Sequence, residues 1–218
     1  MKKTFIHMLC LAAALAVAPL VQAKSNRPSS ESVAGVFDYY LLALSWSPSF
    51  CLTRPDNEQC RGKGYGLVLH GLWPQNDQGA WPQYCPGAEP MTAQERSQGR
   101  TMFVTGQLLD HEWEKHGTCT GLGAGGYFDQ SDRALAAVHI PPELQAPETS
   151  HSLPARQIVD LFQKANPGLP DNAIALRCKG PELAEVWVCM TKDLNFRACD
   201  SGVRSQCRSG ELRIPAVR

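Results

Sequence analysis

Residues 111–119 read HEWEKHGTC and bring His111, Glu112, Glu114, Lys115 and His116 within six positions. Two histidines beside glutamates first suggest a zinc hydrolase, whose helix carries His-Glu-x-x-His with imidazoles at i and i+4. Here the spacing is i, i+5. On a helix that sets the two rings about 140° apart, against about 40° for i+4, so they diverge from a single metal. Lys115 adds a cation that opposes a dication. The pairs that converge are Glu112 with His116 and His111 with Lys115 at i, i+4, and Glu112 with Lys115 at i, i+3. A carboxylate beside an imidazole can hold it ready to exchange a proton. A lysine and a second histidine offer donors to an oxyanion or phosphate. A solvated helix face with paired charges accounts for the same residues, and this stretch alone leaves both readings open.

A second stretch, HGLWPQ (70–75), supplies another imidazole, His70, before a glycine turn. Taken singly, His70 reads as a structural histidine. Together the stretches place one imidazole on each of two elements. With ordinary pKa values near ~6.5, one can be neutral while the other is protonated. Acid–base cleavage of a phosphodiester needs that combination: a base for the attacking hydroxyl, an acid for the leaving oxygen, and cations for the developing charge.

The elements that must position these groups follow from pattern. FDYYLLALSW (37–46) is apolar without a breaker and reads as a buried strand, ended by Ser47-Pro48. GYGLVLHGLWP (64–74) reads as a short strand ending near His70, because Gly71 and Pro74 interrupt regular structure. Thr92 and Glu95 have capping-box spacing, and a helix carrying Met102, Phe103, Leu109 and Trp113 on one stripe could follow, weakened by Gly99 and Gly106. Gly117 stands where a C-cap glycine would, and GLGAGGYF (121–128) reads as a flexible loop. ARQIVDLFQKA (155–165) is an amphipathic helix stopped by Asn166-Pro167-Gly168. IALRC (174–178) and AEVWVCM (184–190) read as strands. Helices and strands mix without regular alternation, so the expected class is α+β: one domain with a central, mainly antiparallel sheet flanked by helices.

Residues 1–23 have the layout of a secretory signal: Lys2 and Lys3, an apolar run broken by Pro19, and Val21-Gln22-Ala23. The apolar run is short for a membrane span. Cleavage after Ala23 leaves a flexible leader (24–35), a catalytic domain (36–218), and a periplasmic or secreted product without stable membrane association. It also removes Cys10, so nine cysteines become eight, and Lys2 and Lys3, so 19 basic residues face 21 acidic ones, a net charge near −2. An even count on an exported chain argues for disulfides, although eight cysteines allow roughly a hundred pairings. A chain without excess positive charge can bind nucleic acid only through a local site. No signal for an oligomer is present, and a monomer is expected.

The two histidine motifs, in this order, resemble the ribonuclease T2 family of secreted acid ribonucleases, and the signal segment suggests its bacterial periplasmic branch. Weaker similarity includes SWSPSFC (45–51), Tyr127-Phe128 and LAEVWVC (183–189). The resemblance implies a metal-independent endoribonuclease, without cofactor, that cleaves single-stranded RNA through a 2′,3′-cyclic phosphate. His116 would be the base for the ribose 2′-OH and His70 the acid for the departing oxygen. Glu112 and Lys115 would stabilise the transition state, Glu112 also poising His116, and His111 would bind phosphate. It further implies the pairings Cys51–Cys60, Cys85–Cys119, Cys189–Cys199 and Cys178–Cys207. Two departures stand out. Leu108-Leu109 replaces an aromatic pair before the second motif, and Gln75 stands where base-selective relatives often carry an acid. Trp73 could stack a base, with Gln75 as an adaptable amide and Tyr84 in the same pocket, giving broad base tolerance. Core packing is the competing account of Trp73 and Tyr84. A non-catalytic RNA-binding relative is the alternative function, disfavoured because all five active-site positions are intact.

Overall fold

The computed structural model describes residues 32–78, 80–207 and 210–218. The expected signal segment (1–23) and residues 24–31 of the expected leader lie outside them. Among the described residues the architecture is α+β, with six strands and five α-helices. The strands are β1 (Tyr39–Trp46), β2 (Leu67–Gln75), β3 (His151–Pro154), β4 (Ile174–Lys179), β5 (Glu182–Met190) and β6 (Glu211–Ile214). The helices are α1 (Ser47–Thr53), α2 (Ala93–Gly99), α3 (Gly106–Lys115), α4 (Gly123–Ala136) and α5 (Ala155–Ala165). No helix among the described residues is long and apolar enough to cross a membrane.

β1 pairs antiparallel with β2 on one side and β5 on the other, and β4 lies along the far side of β5. β6 joins β5 by a parallel contact at Glu182–Arg213 and pairs antiparallel with β3. Flanked on both sides, β1 is apolar on both faces. Tyr40, Leu42, Leu44 and Trp46 enter the main core with Val186 and Val188, where Leu109, Trp113, Tyr127, Phe128, Ile158 and Phe162 close over them. Tyr39, Leu41 and Ala43 face a smaller cluster with Cys189, Trp73 and Trp187. The catalytic candidates gather around those two tryptophans.

Four expectations change. β2 does not end at His70 but runs through it to Gln75, by way of an irregularity: Ala43 pairs with Gly71 and Leu44 with Leu69, leaving His70 without a partner on β1. Such a bulge re-aims the side chain of the extra residue while the ladder continues. The helix after Thr92 is two helices. The Thr92–Glu95 capping box forms and starts α2, while Thr105 caps α3 by accepting from the Leu108 amide. Gly99, at the break, is packed so closely by Leu109 and Phe128 that a Cβ there would overlap them.

GLGAGGYF is no loop, since residues from Gly123 onward form α4. Three helical glycines cost about 3 kcal/mol together, but complete burial of Tyr127 and Phe128 returns about 2–3 kcal/mol each. Gly117 is not a left-handed cap. His116 is the C-cap of α3 in right-handed conformation, and Gly117 opens a short 3-10 turn. Glycine is required there because a Cβ would strike the rings of Trp113 and Tyr127.

All eight candidate cysteines pair as the resemblance implied: Cys51–Cys60, Cys85–Cys119, Cys178–Cys207 and Cys189–Cys199. Cys85–Cys119 ties the loop after β2 to the turn that follows α3. Of the leader, residues 32–35 lie along the body, with the Gly35 amide donating to the Cys119 carbonyl at 2.9 Å.

Candidate active site

Three elements build the site: β2 brings His70, Gly71 and Trp73, α3 and its C-cap bring His111, Glu112, Lys115 and His116, and β5 brings Glu185 and Trp187. Trp73 is the centre. His116 stacks on its indole with ring centroids 5.0 Å apart, His70 meets it edge-on at 5.1 Å, and Trp187 meets it edge-on at 5.5 Å. The Trp73 Nε1–H donates to Glu112 Oε2 at 2.6 Å. One indole therefore fixes both imidazoles and the buried carboxylate.

Glu112 is 1% exposed. Its Oε1 lies 3.5 Å from His70 Nε2 and 4.0 Å from His111 Nε2. Burial pushes its carboxyl up to about 7, although His70, the Trp73 hydrogen bond and Lys115 act the other way. His116 is buried too, and burial, then the positive charges of Lys115, His111 and His70, drive its imidazole down to about 2. His70 behaves oppositely. Burial pushes its pKa down, but the hydrogen bond and charge of Glu185, followed by Glu112, outweigh this and raise it above the ordinary 6.5. His111 is half exposed and lowered, by burial first and then by Lys115 and His70. The two imidazoles held on Trp73 thus divide, His116 neutral and His70 favouring its charged form.

Glu112 Oε1 and His116 Nδ1 are buried without a hydrogen-bond partner. Leaving such groups unsatisfied costs about 1–3 kcal/mol each, and native chains keep such strain where function uses it. The expected side-chain pair between Glu112 and His116 is not formed. They are joined through the main chain, His116 N–H donating to the Glu112 carbonyl at 3.0 Å, because the imidazole turns onto Trp73 instead.

The base-binding candidates divide. Trp73 is committed to the site's interior. Gln75 is buried, 6% exposed, and its amide donates to the Pro74 carbonyl, so it presents no adaptable group at the surface. Tyr84 is 46% exposed, at a left-handed φ of 51°, with its amide donating to the Lys115 carbonyl. Trp81, not singled out from the sequence, is 49% exposed on the same loop.

Glu185 and Trp187 also belong to the site, although in sequence they are marked only as part of a strand. His70 Nδ1 and Glu185 Oε1 are 2.6 Å apart. A lone polar residue among apolar ones in LAEVWVC was the available signal.

Gly71 is constrained by the site itself. A Cβ there would overlap Glu112 Oε2 and Trp73 Nε1. Gly71→Ala is therefore expected to displace the Glu112 carboxylate and lower kcat at least about tenfold, a fraction of what one preorganised group supplies. Near-UV circular dichroism and kcat measured together check this; a folded variant of normal activity would contradict it.

The chain belongs to the ribonuclease T2 family, whose model matches residues 37–199. A ribonuclease of Aeromonas hydrophila is 34% identical over 174 residues, spanning 78% of this chain and 79% of its own. A probable ribonuclease of Haemophilus influenzae is 32% identical over 180 residues, spanning 75% of this chain and 61% of its own. Among solved structures, an RNase-related protein from Calystegia sepium superposes with a TM-score of 0.68 at 25% identity, covering 84% of this chain and 98% of that one.

Proposed function

We propose that this T2-type endoribonuclease is exported and cleaves single-stranded RNA, with broad base tolerance, by transphosphorylation to a 2′,3′-cyclic phosphate. The observation that carries the reading is the opposite bias of two imidazoles held on one indole: His116 is driven neutral and His70 toward its cation. Neutral His116 accepts the proton of the ribose 2′-OH as O2′ attacks phosphorus. The His70 imidazolium gives its Nε2 proton to the departing O5′, so one proton enters the protein and one leaves. Lys115 offsets the charge that gathers on the phosphoryl oxygens. Glu112 is the less obvious participant, since a carboxylate beside a phosphate is repulsive. Its raised pKa resolves this: below about 7 the carboxyl is protonated and can donate to a phosphoryl oxygen. His111, half exposed beside it, takes a phosphate contact.

Base tolerance follows from what the surface offers. With Gln75 turned inward, the exposed rings of Trp81 and Tyr84 offer aromatic surface to a base, and stacking accepts every base because each has a π face. Export is supported by four disulfides, which persist in oxidising compartments, and by the character of the N-terminal segment.

The nucleophile belongs to the substrate, so an RNA oligonucleotide with a single 2′-deoxyribose is the discriminating probe. Cleavage is expected at every ribose linkage tested and none at the deoxy position. Cleavage at the deoxy position would refute it.

A further inference from the structure

Glu185 has no part in the roles just assigned, yet both its oxygens are committed. Oε1 accepts from His70 Nδ1–H at 2.6 Å and from Ser45 Oγ–H at 3.0 Å; Oε2 accepts from Trp187 Nε1–H at 2.7 Å. The backbone enforces this arrangement. Ser45 is the register partner of Glu185 across β1 and β5, and the irregularity in β2 leaves His70 free of the ladder. Trp187, two residues along the same strand, reaches back to the carboxylate and also packs edge-on against Trp73.

We infer that Glu185 is a positioning residue of the reaction: it grips His70 through Nδ1–H, turns Nε2–H toward the phosphate beside Glu112, and holds the ring charged until that proton is given to the leaving oxygen. The inference rests on the proposed role of His70 as acid. The proton balance is simple. The imidazolium has N–H on both nitrogens, and loss of the Nε2 proton to O5′ leaves the Nδ1–H tautomer, already bonded to Glu185. Glu185 stays ionised throughout. A carboxylate that orients and charges an imidazole without taking its proton is a known device in acyl transfer.

The other groups facing His70 are Glu112, Lys115, His111 and His116, from α3 and its cap. Arg177, opposite Glu185 on β4, lies over the Trp187 ring at 4.3 Å. Glu185 and Glu112 favour the His70 cation, and Lys115 opposes it.

Glu185→Gln keeps the size and removes the charge; Glu185→Asp keeps the charge and shortens the reach. Both are compared with wild type on RNA and on a uridine 3′-phosphate p-nitrophenyl ester, whose leaving group needs little acid. On RNA, Glu185→Gln should lower kcat roughly tenfold or more, with KM changed less than about twofold, a modest share of what the orienting carboxylate supplies in acyl transfer. The alkaline limb of its pH profile should move to lower pH, and the ester should lose less than RNA does. Glu185→Asp should recover part of both effects. An unmoved alkaline limb, or equal losses on ester and RNA, would overturn the inference. His70→Ala separates the two levels. If it too leaves RNA cleavage intact, the proposed role of His70 fails; if it abolishes cleavage while the Glu185 limb stays put, only the role of Glu185 fails.

Discussion

His116→Ala and His70→Ala should each lower kcat/KM on single-stranded RNA by about 10²–10⁴-fold, the range supplied by one general acid or base, with RNA affinity nearly unchanged. The two losses are distinguishable. An ester with a good leaving group needs a base but little acid, so it should restore much of the rate to His70→Ala and little to His116→Ala. The reverse pattern would exchange the two roles. The pH profile of the wild type carries the same information. kcat/KM reports the free enzyme, where His116 is driven down to about 2 and His70 is raised. Activity should therefore persist into acid, without a limb near the ordinary imidazole pKa, and should fall on the alkaline side as His70 and the Glu112 carboxyl lose their protons. An acid limb near ~6.5 in kcat/KM would contradict the neutral, buried state of His116.

Glu112→Ala should lower kcat by about 10²–10³-fold, as removal of a preorganised transition-state group does, whereas Glu112→Gln, which keeps a neutral donor, should lose less than about tenfold while making the protein more stable at alkaline pH. The sign follows from linkage. The carboxyl stands at about 7 when folded, against an ordinary value of 4.5. Below 4.5 both states are protonated and the substitution is close to neutral, because glutamine can still accept from Trp73. Between the two values the folded state binds the extra proton, so wild-type stability falls as pH rises. Above about 7 the full penalty of a buried charge is present, at most about 3 kcal/mol for such a shift. Urea unfolding of wild type and Glu112→Gln at pH near 4.5 and near 8, with kcat measured on the same samples and on Glu112→Ala, checks this. A glutamine variant less stable than wild type at the higher pH would refute the buried-charge account of Glu112.

Local pattern was enough for some elements and not for others. The apolar run that became β1, the amphipathic period of α5 and the Thr92–Glu95 box are each set by neighbours in sequence. GLGAGGYF became a helix because Tyr127 and Phe128 are buried by residues far away in the chain. The continuation of β2 past His70 depends on a register shift against β1, which no property of HGLWPQ announces. Within the site, the residues of the two motifs were visible by type and spacing, and i, i+5 did send His111 and His116 to different surroundings, one half exposed and one buried. Spacing also suggested a Glu112–His116 side-chain pair. That failed because the better partners, Trp73 and His70, come from another element. Glu185 carried only the faint signal of a lone polar residue in an apolar strand, for the same reason: a glutamate there looks solvent-facing until the neighbouring strands place Ser45 and His70 against it.

The central claim is that paired imidazoles on one indole transfer a phosphoryl group to the substrate's own 2′-OH without help from a metal. Its most direct test is incubation of the protein with RNA homopolymers in excess EDTA, followed by identification of the new 3′ ends by mass spectrometry. The account predicts undiminished cleavage of each homopolymer and 2′,3′-cyclic phosphate ends at early times. Cleavage abolished by EDTA, or ends that carry a 3′-hydroxyl, would contradict it.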